Sequence, residues 1–391
     1  MIDGHRVMMN LLQSSVKALK KYNMDFLLYW WPLRVASITL DISEVCNQVC
    51  VFCDRRIRFL ESGKKPRFWD YDTFVRASRV FRYYSIVTFA GGCGEPLLNP
   101  YIRDILKYLR LKNPGVKVRI LTNGVTLSPE LFDEIKDYVD IIRFSINAFS
   151  ENVYNELVIG SSFDRVMKNV SYVGNNKRKG LKVIVSYIGM RMNIEEFPLM
   201  VERADEMGID EIHLQALSER GMDKVKGESL VRYPELLKSI WDKSREIVEN
   251  RHLRVKLSVF DAYKAVIEGK KADVEEVGER GIARGNKVVI PGDGETRYCL
   301  APFYSTIVDI EGNVVPCCSR TVPGDKKFGN ILYDKVPPIK NRSFYNLRRA
   351  LLTGELPDFC KYCNRAPVTK VESFKHEIYE RFMASVRNIK F

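Results

Sequence analysis

The sequence predicts an α/β fold with a parallel sheet, followed by a smaller cysteine-bearing domain. From residue 35 to about 217, short runs of apolar and β-branched residues alternate with longer amphipathic runs. This alternation is the pattern of βαβ units around a parallel sheet. At 391 residues, the chain also exceeds the length at which a single hydrophobic core stops growing. We therefore expect one main domain and an appended smaller one.

Six strands and five helices make up the predicted main domain. The strands are expected at residues 35–42, 85–90, 117–121, 141–146, 182–188 and 211–217. The helices between them are expected at residues 72–82, 102–111, 129–138, 163–173 and 194–207, and Gly208 ends the last one. Because a closed barrel of this type has eight strands, six units leave open whether the sheet closes.

The composition is that of a basic chain without export signals. The net charge is +13, from 62 Lys and Arg against 49 Asp and Glu residues. Such a charge favours an anionic substrate, a nucleic acid or a membrane surface, but the basic residues are scattered, so no nucleic acid partner is expected. Neither a membrane-spanning apolar run nor a signal peptide is present, which favours a cytoplasmic, reducing setting. There the nine cysteines predict metal ligands.

Three cysteines follow the first predicted strand with C-x3-C-x2-C spacing: Cys46, Cys50 and Cys53. A tight loop with three thiolates can ligate three irons of a 4Fe-4S cluster, whose full set is normally four cysteines. One iron then keeps an open position, which catalysis requires. A zinc site completed by a distant ligand is the main alternative. A disulfide is not expected in a reducing setting.

Phe52 completes a C-x3-C-x-aromatic-C pattern, and this loop closely resembles that of the radical SAM superfamily. The resemblance implies an open, partial (β/α)6 barrel and a 4Fe-4S cluster held by the three cysteines. It also implies that the open iron binds the amino and carboxylate groups of S-adenosylmethionine (SAM). A flavodoxin or ferredoxin-type protein is the expected electron donor.

A glycine-rich run with a Glu-Pro pair follows the second predicted strand. Glycines let backbone approach a ligand closely at the C-terminal mouth of a parallel sheet. The run resembles the GGEP-type motif of the family, which implies that Gly92, Gly94, Glu95 and Pro96 lie along the methionine part of SAM, with its ammonium near Glu95. An ordinary Gly/Pro turn is the alternative. Cys93, at the variable position of the motif, is a candidate hydrogen donor.

Other residues at strand ends fit the same pattern of resemblance. Asn123 lies in a segment similar to the third-strand motif, and Ser145 in one similar to the Ser-x-Asp segment, whose serine usually approaches the SAM ribose. Asn147 replaces the usual aspartate of that segment. Asn193 and Gln215 are expected to project toward the same mouth. Helix capping is an equally good explanation for Asn193.

A second group of cysteines lies near the C-terminus: Cys299, Cys317, Cys360 and Cys363. Residues 305–317 read as a hairpin that turns near Gly312. The spacing C-x12-G-x4-C resembles the opening of the SPASM/Twitch extension, a small α+β iron-sulfur domain of radical SAM enzymes. Four positions favour the Twitch form with one auxiliary 4Fe-4S cluster, and the register selects Cys317 over Cys318. A structural zinc site is the alternative.

The resulting domain organisation has five parts: an N-terminal amphipathic extension (1–34), the partial barrel (35–217), a connector or insert (218–298), the auxiliary-cluster domain (299–366) and a C-terminal helix (367–391). The charge-rich part of the connector is expected to be solvated. The apolar stripe of the extension is expected to pack against the barrel. The alternative is contact with a membrane surface, because the stripe is flanked by lysines and ends in aromatic residues.

The resemblance implies reductive cleavage of SAM to a 5'-deoxyadenosyl radical that removes a hydrogen atom from an unactivated C–H bond. An auxiliary cluster that accepts an electron favours oxidation or formation of a C–C or C–S bond. The expected substrate is an anionic or amphiphilic small molecule of sugar or lipid type. A peptide or protein substrate is the alternative, although the extension is too short to be a leader-peptide-binding domain. A non-catalytic iron-sulfur or zinc protein is the alternative of another class.

Overall fold

The structure is a computed structural model that describes residues 28–29, 36–53, 63, 65–90, 92, 94–217, 222–268, 290–317, 328–363 and 366–387. The described residues fall into two compact units. The barrel unit lies within Thr39–Arg79 and Val87–Val288, and the C-terminal unit lies within Met1–Ile38, Val80–Ile86 and Val289–Phe391. No helix in the described ranges is both long enough and apolar enough to cross a membrane.

The described residues between 37 and 259 form nine strands: β1 (Ser37–Leu40), β2 (Val49–Cys50), β3 (Ile86–Phe89), β4 (Lys117–Thr122), β5 (Ile141–Ser145), β6 (Val158–Ile159), β7 (Lys182–Gly189), β8 (Glu211–Ala216) and β9 (Lys256–Val259). Seven of them are neighbours in one sheet, in the order β1-β3-β4-β5-β7-β8-β9. The pairs from β4 to β9 are parallel. The remaining two, β2 and β6, form a separate antiparallel pair.

In the same described ranges, eight helices accompany these strands: α1 (Tyr71–Ser78), α2 (Ile102–Lys112), α3 (Pro129–Ile135), α4 (Glu151–Leu157), α5 (Phe163–Asn175), α6 (Phe197–Glu202), α7 (Pro234–Asn250) and α8 (Asp261–Ile267). Four of them begin at a side chain that accepts a hydrogen bond from a first-turn N–H, namely at Asp70, Ser128, Ser150 and Ser162. Such caps satisfy donors that the helix itself leaves unpaired, so the sequence fixes where these helices start.

All six predicted strands are confirmed, each within two residues of its expected ends. The last predicted helix is shorter than expected, since a 3-10 turn, Ile194–Glu196, precedes α6. The first part of the expected connector or insert (218–298), up to residue 268, contains α7, α8 and β9, and β9 adds a parallel strand beside β8. The charged part of that stretch, residues 269–289, lies outside the described residues.

The C-terminal unit is built from short strands and four helices: β10 (Glu295–Arg297), α9 (Ala301–Tyr304), β11 (Ser305–Val308), β12 (Val314–Val315), α10 (Arg342–Thr353), α11 (Asp358–Lys361), β13 (Val368–Lys370) and α12 (Val371–Arg387). Strands β11 and β12 form the expected antiparallel hairpin. Its turn holds Gly312 at φ 81°, where a Cβ would lie 2.6 Å from Leu332 Cγ. A glycine is therefore required there.

The core of the C-terminal unit includes two residues from the N-terminal extension. Leu28 and Tyr29 are buried in it, together with Phe303, Leu351, Leu352, Phe374, Ile378, Tyr379 and Phe382. Their apolar partners lie on α9, α10 and α12. The apolar stripe that is expected to pack against the barrel lies within residues 1–27, outside the described residues, so that expectation stays a prediction.

A fully buried arginine joins three segments of this unit. Arg348 donates from Nε to Pro302 O at 2.7 Å, from Nη1 to Tyr29 O at 3.0 Å and from Nη2 to Ile339 O at 2.7 Å. Burial lowers the pKa of Arg348 to about 10, although Tyr84 opposes this shift. The guanidinium group thus supplies hydrogen-bond donors to three buried carbonyl groups that would otherwise need a backbone N–H partner.

Replacing Arg348 tests whether its hydrogen bonds stabilise the contact between these three segments. We expect Arg348→Met to lower the free energy of unfolding by at least about 3 kcal/mol, because three buried carbonyls lose their donors at once. Its neighbour Arg349, which is exposed and paired with Glu355 at 2.8 Å, is the matched control. Arg349→Met should cost less than about 1 kcal/mol. Urea unfolding of both variants measures this, and equal effects would contradict the proposed tie.

Candidate active site at the strand ends

The loop that carries Cys46, Cys50 and Cys53 is fixed from one side by the segment after β5. Strand β2 inside the loop pairs with β6, and Val51 N donates to Leu157 O at 3.0 Å. Gln48, which is buried, donates from Nε2 to Tyr154 Oη and to Ser161 Oγ, both at 2.8 Å. The path of the loop is therefore set by protein contacts.

The backbone of the glycine-rich run packs directly against the cysteine loop. Glu95 N donates to Val45 O at 2.7 Å. A Cβ on Gly94 would lie 2.3 Å from Ser43 O and 2.8 Å from Val45 O, distances that no side chain can accept. This glycine is thus required by the approach of the protein's own loop.

The Glu95 carboxylate connects the end of β3 to the end of β4. Oε1 accepts a hydrogen bond from Leu97 N at 3.1 Å, and Oε2 accepts one from Asn123 N at 2.8 Å. Burial raises the pKa of Glu95 to about 7, while the hydrogen bonds from Asn123, Leu97 and Thr122 act in the opposite direction. The carboxylate therefore acts as an internal brace between two motifs that the sequence predicts to be functional.

Asn123 completes the connection back to the cysteine loop. Its Nδ2 donates to Asn47 Oδ1 at 2.9 Å and lies 3.8 Å from Cys46 Sγ, while its Oδ1 accepts from Val125 N at 3.0 Å. The ends of β1, β3 and β4 are thereby joined through Glu95 and Asn123. The structure brings together the motifs that the sequence places at the mouth of the sheet.

The three thiols of the loop lie close enough to affect one another. Burial raises the pKa of Cys50, and the neighbouring Cys53 and Cys46 raise it further. Three thiolates in one place repel each other unless cations neutralise them, and thiolates are the ligands of iron-sulfur clusters. The donor set therefore fits the predicted cluster.

The other predicted residues take varied positions around this mouth. Gly92 N donates to Asp41 Oδ1 at 2.9 Å, and Pro96 begins the 3-10 turn Pro96–Leu98. Phe52 is partly exposed in the cysteine loop, and Ser145 is exposed where β5 ends. Cys93 lies outside the described residues, so its suggested role as a hydrogen donor stays a prediction.

Asn147 and Asn193 are both buried, and their side-chain amides hydrogen-bond to backbone groups near the ends of β5 and β7. Asn193 Nδ2 donates to Asn147 O at 2.8 Å and to Ile188 O at 2.9 Å, and its Oδ1 accepts from Met190 N at 2.7 Å. Asn147 Oδ1 accepts from Ile188 N at 2.8 Å. Although Asn193 precedes the turn Ile194–Glu196, its side chain makes no capping hydrogen bond. Both amides tie the ends of β5 and β7.

One face of the sheet carries polar residues, of which the sequence reading found Gln215 and missed the others. Along β4, β5, β7 and β8, apolar residues such as Ile120, Phe144 and Leu214 are fully buried, and several of the alternate positions are polar. These polar residues are Arg119, Arg143, Ser186, Glu211, His213 and Gln215. Because strand side chains alternate with a period of two, Asn123, Ser145 and Gln215 share this face. The missed signal was alternation in a parallel sheet, whose strands are normally apolar on both faces.

In the C-terminal unit, three of the predicted cysteines surround the fourth, Cys360. Burial raises the pKa of Cys360, and Cys299, Cys317 and Cys363 each raise it further. All four thiols are thus close neighbours, although they come from three segments of the chain. Cys318 lies outside the described residues.

Arg297 organises the loop between Cys360 and Cys363. It is buried and donates from Nε to Cys360 O at 3.2 Å, from Nη2 to Lys361 O at 2.8 Å and from Nη1 to Ala366 O at 3.0 Å. Burial lowers the pKa of Arg297, and the thiols of Cys363 and Cys360 raise it. A fixed positive charge therefore lies beside the thiols, where it favours their anionic, metal-binding form.

Comparison with known proteins agrees with this geometry. Residues 40–204 match the sequence model of the radical SAM superfamily, and residues 299–364 match that of SPASM, an iron-sulfur cluster-binding domain. The chain thus carries a radical SAM domain and a SPASM domain. These domains imply a 4Fe-4S cluster with SAM in the barrel and auxiliary iron-sulfur chemistry in the C-terminal domain.

Two similar proteins are both named "Probable GTP 3',8-cyclase". The one from Sulfurisphaera tokodaii is 24% identical over 68% of this chain and 81% of its own length. The one from Metallosphaera sedula is 28% identical over 50% of this chain and 59% of its own length. Among solved structures, Streptococcus suis SuiB bound to its precursor peptide SuiA aligns with a TM-score of 0.60 and 17% identity, over 85% of this chain and 69% of SuiB. The SuiB likeness shows the fold.

The Glu95 brace can be tested at pH 8, above the pKa of about 7. A glutamine in its place has one accepting oxygen, so either Leu97 N or Asn123 N loses its partner. We expect Glu95→Gln to cost about 1–3 kcal/mol of unfolding free energy and to reduce the iron held by the first cluster. The exposed Glu130→Gln is the control. Wild-type stability and iron content in Glu95→Gln would refute the brace.

Proposed function

We propose that this radical SAM protein cleaves SAM reductively and removes a hydrogen atom from an anionic small molecule. The observation that carries the proposal is the junction of Cys46, Glu95 and Asn123, because three strand-end motifs meet there at one mouth. A simple electron carrier needs no such junction beside its cluster.

The cysteines and glycines of the site have separate proposed roles. Cys46, Cys50 and Cys53 would hold the first cluster, and Gly92 and Gly94 keep the neighbouring backbone free of side chains. The cluster with SAM, when bound, supplies one-electron chemistry that can remove hydrogen from an unactivated C–H bond. The chain's own task is to position the substrate carbon and to exclude other hydrogen donors.

The net charge of the chain and the names of two similar proteins both support an anionic small molecule as the substrate. The net charge of +13 attracts anions. Two relatives carry a name that specifies GTP, an anionic small molecule. At 24–28% identity the particular reaction does not transfer, so the proposal extends to the class and not to GTP itself.

Cys299, Cys317, Cys360 and Cys363 would hold an auxiliary cluster that takes up the electron from the substrate, which favours a net oxidation or bond formation. Arg297 would keep two of these ligands in place. A flavodoxin or ferredoxin-type donor would supply the electron that starts the reaction. Membrane contact through residues 1–34 stays a prediction, because only two of those residues are described.

Isotope transfer tests this function. Anaerobic protein with dithionite and SAM should form 5'-deoxyadenosine, and deuterium from a labelled nucleotide or sugar phosphate should appear in it. Cys50→Ala should abolish both signals, because it removes one of three cluster ligands. A panel of deuterated peptides serves as the comparison. Deuterium arriving only from a peptide would overturn the substrate class, and no SAM cleavage would overturn the proposal.

A further inference from the structure

The polar face of the sheet carries two arginines that no ion pair neutralises in the described structure. Arg119 on β4 and Arg143 on β5 are both largely buried, and burial lowers the pKa of each. For Arg143 the pKa falls to about 10, because Arg119 also repels its charge while Glu211 attracts it. Two like charges held in a desolvated place are costly unless a partner compensates for them.

Each of these arginines has a buried nitrogen without a partner among the described residues. The atoms are Arg119 Nε and Arg143 Nη2. Arg143 Nε donates to Ser186 Oγ, which also lies 3.4 Å from Gln215 Nε2. The guanidinium of Arg143 is thus oriented by the protein while one of its strongest donors stays unused. Buried donors in native proteins normally have a partner.

Among the described residues, Glu211 is the carboxylate that attracts both arginines, and it is already hydrogen-bonded. Glu211 Oε1 accepts from Ser258 Oγ at 2.7 Å, and the same hydroxyl lies 2.8 Å from His213 Nδ1. Since the hydroxyl proton goes to Glu211, His213 donates from Nδ1 to Ser258. Two guanidinium charges against one carboxylate leave an excess of positive charge on this face.

The strand register places these donors below the mouth on the same face. Arg143 pairs with Leu121 and with Ile184, so Arg119 is its diagonal neighbour. Arg143 precedes Ser145 by two residues, and Arg119 precedes Asn123 by four. At about 3.3 Å per residue, the two guanidinium-bearing positions lie roughly 7 and 13 Å below the mouth. A small molecule can span that depth.

We infer that Arg119 and Arg143 bind the anionic group of the substrate, an oxyanion of phosphoryl or carboxylate type, while its reacting carbon lies toward Cys46 and Ser145. This inference rests on the proposed function, since it assigns the substrate end that lies away from the chemistry. Two guanidinium groups supply the forked donors that oxyanions match. His213 and Gln215 line the same face and would contact the part of the substrate between its anionic group and its reacting carbon.

Calorimetric titration of the full-length, cluster-containing protein under anaerobic conditions tests the inference. Inorganic pyrophosphate is the phosphoryl probe and succinate is the carboxylate probe. We expect one of them to bind wild type with one-to-one stoichiometry, and the tighter probe identifies the oxyanion. Arg119→Met and Arg143→Met should each weaken that binding at least about tenfold. Arg103→Met, at an exposed arginine paired with Glu134, should leave it unchanged.

Stability measurements separate binding from a structural role. Without probe, urea unfolding of Arg143→Met should match or exceed wild type, because a desolvated and repelled charge is removed. Arg143→Lys should retain part of the binding, since it keeps the charge without the fork. Four results would overturn the inference. The first is an Arg143→Met protein that is less stable than wild type, and the second is unchanged binding in Arg119→Met and Arg143→Met. The third is an equal loss of binding in these two variants and in the control Arg103→Met, and the fourth is no binding of either probe to wild type.

Because the titration needs neither SAM nor a reductant, its outcome does not depend on whether the protein cleaves SAM. Arginine-dependent binding without SAM cleavage would reject the proposed function alone. SAM cleavage together with arginine-independent binding would reject this inference alone.

Discussion

The contact between the cysteine loop and the glycine-rich run is the constraint on which the site depends. Gly94 lies so close to Ser43 and Val45 that even a methyl group is excluded, and Glu95 then spans to Asn123 with a buried carboxylate. Each partner comes from a different strand end. A parallel sheet brings these ends to one edge, and hydrogen bonds of the Glu95 and Asn123 side chains fix how the ends are arranged.

Buried arginines play a comparable part in the C-terminal unit. Arg297 holds three carbonyls around the Cys360–Cys363 loop, and Arg348 holds three more that join α10 to segments far away in sequence. A small domain with short strands has few ladder hydrogen bonds, so its loops need other donors. A guanidinium supplies several in one plane. Beside the four thiols, the charge of Arg297 also favours thiolate over thiol.

Much of the fold could be read from the sequence, because the six predicted strands alternate with amphipathic helices. The cysteine spacing and the glycine-rich run also located the mouth. The anchoring of the cysteine loop by α4 and β6 was not predictable. It rests on the two-residue strands β2 and β6 and on Gln48 reaching Tyr154, which lies 106 positions away. Arg119 and Arg143 were missed because polar and apolar residues are mixed along β4 and β5, and only the register shows that the two arginines share a face.

The cluster held by the braced loop should be the one of the two expected clusters that binds SAM. Electron paramagnetic resonance of the dithionite-reduced protein, recorded with and without SAM, distinguishes the two. We expect two overlapping 4Fe-4S signals, of which one shifts when SAM is added. We also expect Cys50→Ala to remove the shifting component and Cys360→Ala to leave it in place. A spectrum that SAM does not change, or a SAM-sensitive signal that survives in Cys50→Ala, would rule out SAM binding at this loop.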